Sequence, residues 1–161
     1  MIFVHGFSGT SKETWSNFVD VIRNDERVST WDLYGIGYPS SLRVDIPGIW
    51  SADGDIDILS LAFRTALSLE PLARYQAIAI CAHSMGGLVV QRALLDQESI
   101  VSHLRYLFLF GTPSAGIVKA RLFRRLKRQL RDMDSNSNFI QSLRRDWAKR
   151  FPNETPFKLK L

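Results

Sequence analysis

A serine hydroxyl is a weak nucleophile unless its surroundings activate and present it, and the run Cys81-Ala82-His83-Ser84-Met85-Gly86-Gly87 has the composition of such a setting. In a sharp strand-to-helix turn the central residue adopts a strained backbone conformation that lifts its side chain clear of the sheet. The positions two before and two after it must then be small, and here they are Ala82 and Gly86, with Gly87 giving the helix room to pack on the strand. A helix beginning near Met85 would aim its N-terminal N–H groups at Ser84, where an anionic intermediate needs stabilising. The chemistry these residues suit is acyl transfer through Ser84. The usual written form of the turn is G-x-S-x-G; Ala82 replaces the first glycine and still meets the steric need. The plainer reading is a small-residue turn with an idle serine. The apolar run before it and the helical spacing after it favour the chemical one.

Such chemistry also needs preset donors for the oxyanion. The loop His5-Gly6-Phe7-Ser8-Gly9 follows the apolar run Ile2-Phe3-Val4, as Ser84 follows its own. In a parallel sheet both loops would emerge on one edge, where ligands bind in open α/β sheets. The backbone N–H groups of Phe7 and Met85 are therefore the expected oxyanion hole, with His5 and Gly6 shaping the loop and His83 supporting the turn.

The elements that must position these groups are legible in outline. Trp15, Phe18, Val19 and Ile22 share a helical face, with Thr10 and Glu13 at capping-box spacing. Val28 to Tyr34 reads as a strand. Asp53, Asp55 and Asp57 mark a helix start, followed by the stripe Ile58, Leu61, Ala62, Thr65, Ala66 and Leu69. Ala77 to Cys81 and Arg105 to Phe110 are strand-length apolar runs, and Met85 to Leu95 returns to helical spacing. Residues 116 to 133 and 135 to 150 read as helices, and Phe157 to Leu161 begins a last strand. Strands alternating with helices predict one α/β domain over residues 1–161, a mostly parallel sheet covered on both faces.

With 161 residues and 45% apolar content the chain can bury one sizeable core. Its single cysteine excludes an intramolecular disulfide and a CxxC metal site. No run approaches the ~20 apolar residues that span a bilayer, and no signal-peptide pattern opens the sequence; a cytoplasmic or peripheral-membrane setting is expected. No cluster of ligand-type residues implies a metal or a cofactor.

Charge is unevenly spread. Residues 1–118 hold 8 Lys and Arg against 12 Asp and Glu, whereas residues 119–161 hold 13 against 4. Within Lys119 to Arg131, Arg121, Arg124, Arg125, Lys127 and Arg128 interleave with Leu122, Phe123, Leu126 and Leu130. One reading is an ordinary helix with leucines in the core and arginines in solvent. The other is a cap-like element touching anionic lipid. No aromatic stacking surface accompanies these charges, which argues against nucleic acid.

Three segments taken in order, Phe3-Val4-His5-Gly6-Phe7, Ala82-His83-Ser84-Met85-Gly86-Gly87 and Leu109-Phe110-Gly111-Thr112-Pro113, resemble the signatures of α/β-hydrolase esterases and lipases. Within that superfamily the likeness is to the lipase-like serine esterases, the GPI inositol-deacylase-like and SERAC1-like group. The resemblance covers residues 2 to 116 and implies an α/β-hydrolase fold, hydrolysis of small-molecule or lipid carboxylic esters, and a triad of serine, acid and histidine.

The histidines depart from that pattern. His5 belongs to the oxyanion loop, His83 adjoins Ser84 in a turn where neighbouring side chains diverge, and His103 precedes a strand, about 20 Å from the catalytic edge at ~3.3 Å per residue. Asp132 and Asp134 read better as helix-end polarity than as the acid. The acid and base are accordingly expected beyond Leu161, and the 161 residues alone are expected to turn over little ester. Two further readings stay open: a non-catalytic interaction domain on a hydrolase scaffold, and an acyltransferase using the same residues.

Overall fold

A computed structural model of the chain describes residues 1–6, 11–37, 52–114 and 138–161. Five strands form one sheet: β1 (Ile2–Val4), β2 (Tyr34–Ile36), β3 (Ile78–His83), β4 (Leu104–Phe110) and β5 (Lys158–Lys160), in the spatial order β2-β1-β3-β4-β5. Every adjacent pair is parallel, with Val4 beside Ala82 and His83 beside Phe110. Parallel strands require crossovers, and the helices supply them: α1 (Ser11–Arg23), α2 (Ala52–Leu67), α3 (Met85–Asp96), α4 (Glu98–His103) and α5 (Asn138–Arg150).

The alternation of side chains along each strand divides the interior in two. Ile2 and Val4 of β1, Ile78, Ile80 and Ala82 of β3, and Leu104, Leu107 and Leu109 of β4 enter a large cluster closed by α2, α3, α4 and α5. Phe3 and Cys81 point the other way, against Trp15 of α1, with Val19, Ile22 and Phe108 packed around them. The expected layering, helices on both faces of a mostly parallel sheet, is what the chain forms.

Two expectations change in detail. The second strand is Tyr34–Ile36, not Val28 to Tyr34, because Glu26–Val28 forms a single 3-10 turn. Asp25 caps that turn, its carboxylate accepting the Arg27 backbone N–H at 2.9 Å, a local bond that competes with extension. On α2 the buried face is Ile56, Ser60 and Phe63, with Leu59 and Leu67 packed beside them, whereas Ile58 and Leu61 of the expected stripe are 62% and 55% exposed, and Leu69 falls beyond the helix end, 59% exposed. Both stripes have helical period, and contact with α3 selects the one carrying Phe63. The basic stretch Lys119 to Arg131, with Asp132 and Asp134, lies outside the described residues, as does Phe7.

Candidate active site

The chain order reverses direction between β1 and β3: one branch runs outward to β2, the other to β4 and β5. At such a switch point the loops leaving the carboxyl ends part in opposite directions and open a crevice. The described residues that follow these two strands are His5-Gly6 after β1 and Ser84 after β3.

Ser84 has φ 53° and ψ −126°, and it is the one non-glycine residue of positive φ among those described. That conformation costs about 1–3 kcal/mol and persists only where the surroundings over-determine it. They do so here from three sides. Ser84 N–H donates to the Phe110 carbonyl at 2.8 Å, and the Ser84 carbonyl accepts from Gly87 N–H at 3.0 Å. A Cβ added to Gly6 would lie 2.8 Å from Ser84 Cβ and 3.1 Å from His83 Nδ1, so the loop after β1 fits against the turn only as glycine.

The small residues are needed for reasons the sequence showed only in part. Ala82 is fully buried in the larger core. A Cβ on Gly86 would come to 3.0 Å from the Val4 carbonyl oxygen and closer still to that of His5. Gly86 therefore makes room for the exit of β1, and the tight approach is to that strand end rather than to Ala82. A Cβ on Gly87 would meet Thr112, 2.5 Å from Cγ2 and 2.8 Å from Cβ, so this glycine accommodates the segment after β4. The role of Thr112 was hidden in the sequence; its only signal is the Gly-Thr-Pro run directly after a strand. Met85 opens α3, and its N–H is among those that a helix leaves without an intrahelical partner.

The comparisons with known proteins bear on the same chain. The Alpha/beta hydrolase family matches residues 1–159. The chain belongs to that family. This α/β-hydrolase chain also superposes on solved lipase structures at low identity. Phospholipase PlaB from Legionella pneumophila, solved with thio-NAD, is 22% identical with a TM-score of 0.67, over 91% of this chain and 33% of that one. The mature lipase BlEst2 from Bacillus licheniformis is 19% identical with a TM-score of 0.62, over 98% of this chain and 62% of that one. The chain thus spans about a third of the phospholipase and 62% of the lipase. Among curated proteins none matches.

Two of the three histidines of this α/β-hydrolase chain, His5 and His83, follow adjacent strands on the edge that carries Ser84, and the third, His103, does not. His5 is buried, its Nδ1 donating to the Gly6 carbonyl at 2.7 Å, which stiffens the loop after β1. His83 is exposed and meets the Trp15 ring edge-on at 6.5 Å. His103 ends α4 beside the start of β4, and the register puts Leu104 opposite Ile78 and Phe110 opposite His83, so it lies at the far end of the sheet. Beneath the turn, burial pushes the Cys81 thiol up to about 12.

Among the described residues no group of three His, Cys, Asp or Glu is placed to hold a metal. No described helix is long and apolar enough to cross a membrane. A cleft of about 830 Å³ is lined by Arg105, Tyr106 and Lys158 at the starts of β4 and β5 and by Trp147 and Phe151 at the end of α5. It lies at the end of the sheet away from Ser84.

Proposed function

We propose that this chain carries the nucleophile of a serine hydrolase that cleaves carboxylic esters, lipid esters among them. The observation that carries the reading is the backbone of Ser84, strained at φ 53° at the carboxyl end of a central parallel strand. Such strain at a half-buried serine beside a switch point suits a hydroxyl used on a substrate, and a structural serine does not need it. Ser84 Oγ attacks the acyl carbonyl, and a base takes its proton and returns it to the departing alkoxide. Water then attacks the acyl-enzyme, regenerating Ser84 and releasing the acid. The N–H groups of Met85 and Phe7 stabilise the oxyanion in both steps.

The base and its carboxylate partner belong to the part of the protein beyond residue 161 in this reading, since His5, His83 and His103 are each engaged or distant. The lipase and phospholipase titles of the structural neighbours, and the likeness to the GPI inositol-deacylase-like and SERAC1-like esterases, support a lipid ester as substrate. A second reading, a scaffold retained for binding alone, draws on the same histidines.

A fluorophosphonate probe decides between the two. On the full-length gene product, covalent labelling is expected and Ser84→Ala is expected to abolish it. A wild-type protein that stays unlabelled, or a Ser84→Ala protein labelled as fast as wild type, would overturn the esterase reading.

A further inference from the structure

Gln91 is an unusual residue for its place. It lies on α3, 6% exposed, among Leu88, Val90 and Leu94, which are fully buried. A buried amide is tolerated only when its polar atoms are used, and Gln91 Oε1 accepts a hydrogen bond from Ser114 Oγ at 2.9 Å. That bond is the last of three points at which the segment Phe110–Ser114 is fastened along α3. The first is the Phe110 carbonyl on Ser84 N–H at 2.8 Å. The second is the Thr112 side chain seated on Gly87.

The spacing explains the fit. Residues 84, 87 and 91 are three and four apart and so lie on one helical face. Residues 110, 112 and 114 reach that face from a segment bent at Gly111 and turned between Thr112 and Ser114. Gly111, at φ +57°, turns the chain off β4 onto the helix, and nothing lies within 4 Å of the place its Cβ would take, so conformation rather than space requires glycine there. Ser114 N–H also donates to the Thr112 carbonyl at 2.9 Å, which stiffens the far end.

We propose that Gln91 and Ser114 are positioning residues for Ser84: their hydrogen bond pins the end of this strap and so holds the Phe110 carbonyl on the strained Ser84 backbone. The consequence for catalysis rests on Ser84 being the nucleophile; the mechanical claim does not. Without the pin, the ties that remain among the described residues are one backbone bond and one packing contact, and Ser84 is free to relax.

The test uses the full-length protein with Ser114→Ala and Ser114→Thr, the second of which keeps a hydroxyl donor. Two readouts are taken: backbone hydrogen exchange across residues 81–96, and fluorophosphonate labelling resolved into a maximal rate and a half-saturating concentration. Losing one hydrogen bond of ordinary net worth corresponds to about fivefold in a local opening equilibrium. Ser114→Ala is expected to speed exchange at Ser84 by about that factor, leave Val89 and Val90 unchanged, and lower the maximal labelling rate at constant half-saturation. Ser114→Thr is expected to restore both. Exchange at Ser84 within about twofold of wild type overturns the proposal, as does a rise shared equally along α3 or equal behaviour of the two variants. Should wild type not label at all, the esterase reading fails while exchange still decides the strap.

Discussion

Four glycines near Ser84 are needed for four different reasons, and substitution separates them. Gly6 is limited by the turn at His83 and Ser84, Gly86 by the backbone at the end of β1, Gly87 by a side chain, and Gly111 by its dihedral alone. An alanine at Gly86 must push the end of β1 away, because carbonyl oxygens of Val4 and His5 occupy the space. Overpacking of this kind costs about 1–3 kcal/mol. Gly86→Ala is therefore expected to lower the urea midpoint and to slow probe labelling of Ser84. Gly111→Ala meets no atom and is expected to cost about 1–2 kcal/mol through the left-handed backbone alone.

Cys81, directly behind the turn, gives a pH-dependent expectation. Burial raises its thiol to about 12 from the ordinary value of 9.0. The folded chain thus keeps a proton that the unfolded chain releases above pH 9, and stability falls as pH rises from 9 toward 12. Cys81→Ala should remove that part of the slope in urea unfolding measured across the range. Below pH 9, native Cys81 should resist iodoacetamide and react only after denaturation.

At the level of elements, α2 is the instructive case. Its sequence offers two apolar stripes of equal period, and the fold buries the one through Ile56 and Phe63 while leaving Leu61 55% exposed. Phe63→Ala is expected to cost about 3–5 kcal/mol, whereas Leu61→Ala should stay within about 0.5 kcal/mol. Denaturant midpoints at unchanged slope measure both. Comparable losses at the two positions would show that α2 sits in the other phase. Elsewhere α3 is tied to α5 by Arg92, which reaches Asp96 on its own helix and Asp146 across the gap at 3.3 Å. The helix that presents Ser84 is thereby held from its far end as well as by the sheet.

Among the described residues the helices are unevenly shared between the faces of the sheet: α2, α3, α4 and α5 close one, while α1 packs on the other around Phe3 and Trp15. The charge is uneven too, with 13 Lys and Arg against 4 Asp and Glu after residue 118. We propose that this basic end contacts anionic lipid surfaces, a setting that suits an enzyme of lipid esters. The full-length protein should bind vesicles containing phosphatidylserine more tightly than neutral ones, and the difference should shrink with added salt. Equal binding to both would remove the idea.

The sequence determined the kind of fold and where a sharp strand-to-helix turn falls, because both leave local patterns. Alternating strand-length and helix-length apolar runs specify parallel crossovers, and the small residues around Ser84 mark the turn. Phase and partnership were decided by the tertiary structure. Periodicity cannot choose between the stripes of α2, because either one makes a sound amphipathic helix until α3 is in place. Nor does any local pattern bring Thr112 to Gly87, His5 to Gly86 or Ser114 to Gln91. Those contacts join residues 23 to 81 positions apart, and they exist only once β1, β3 and β4 lie side by side.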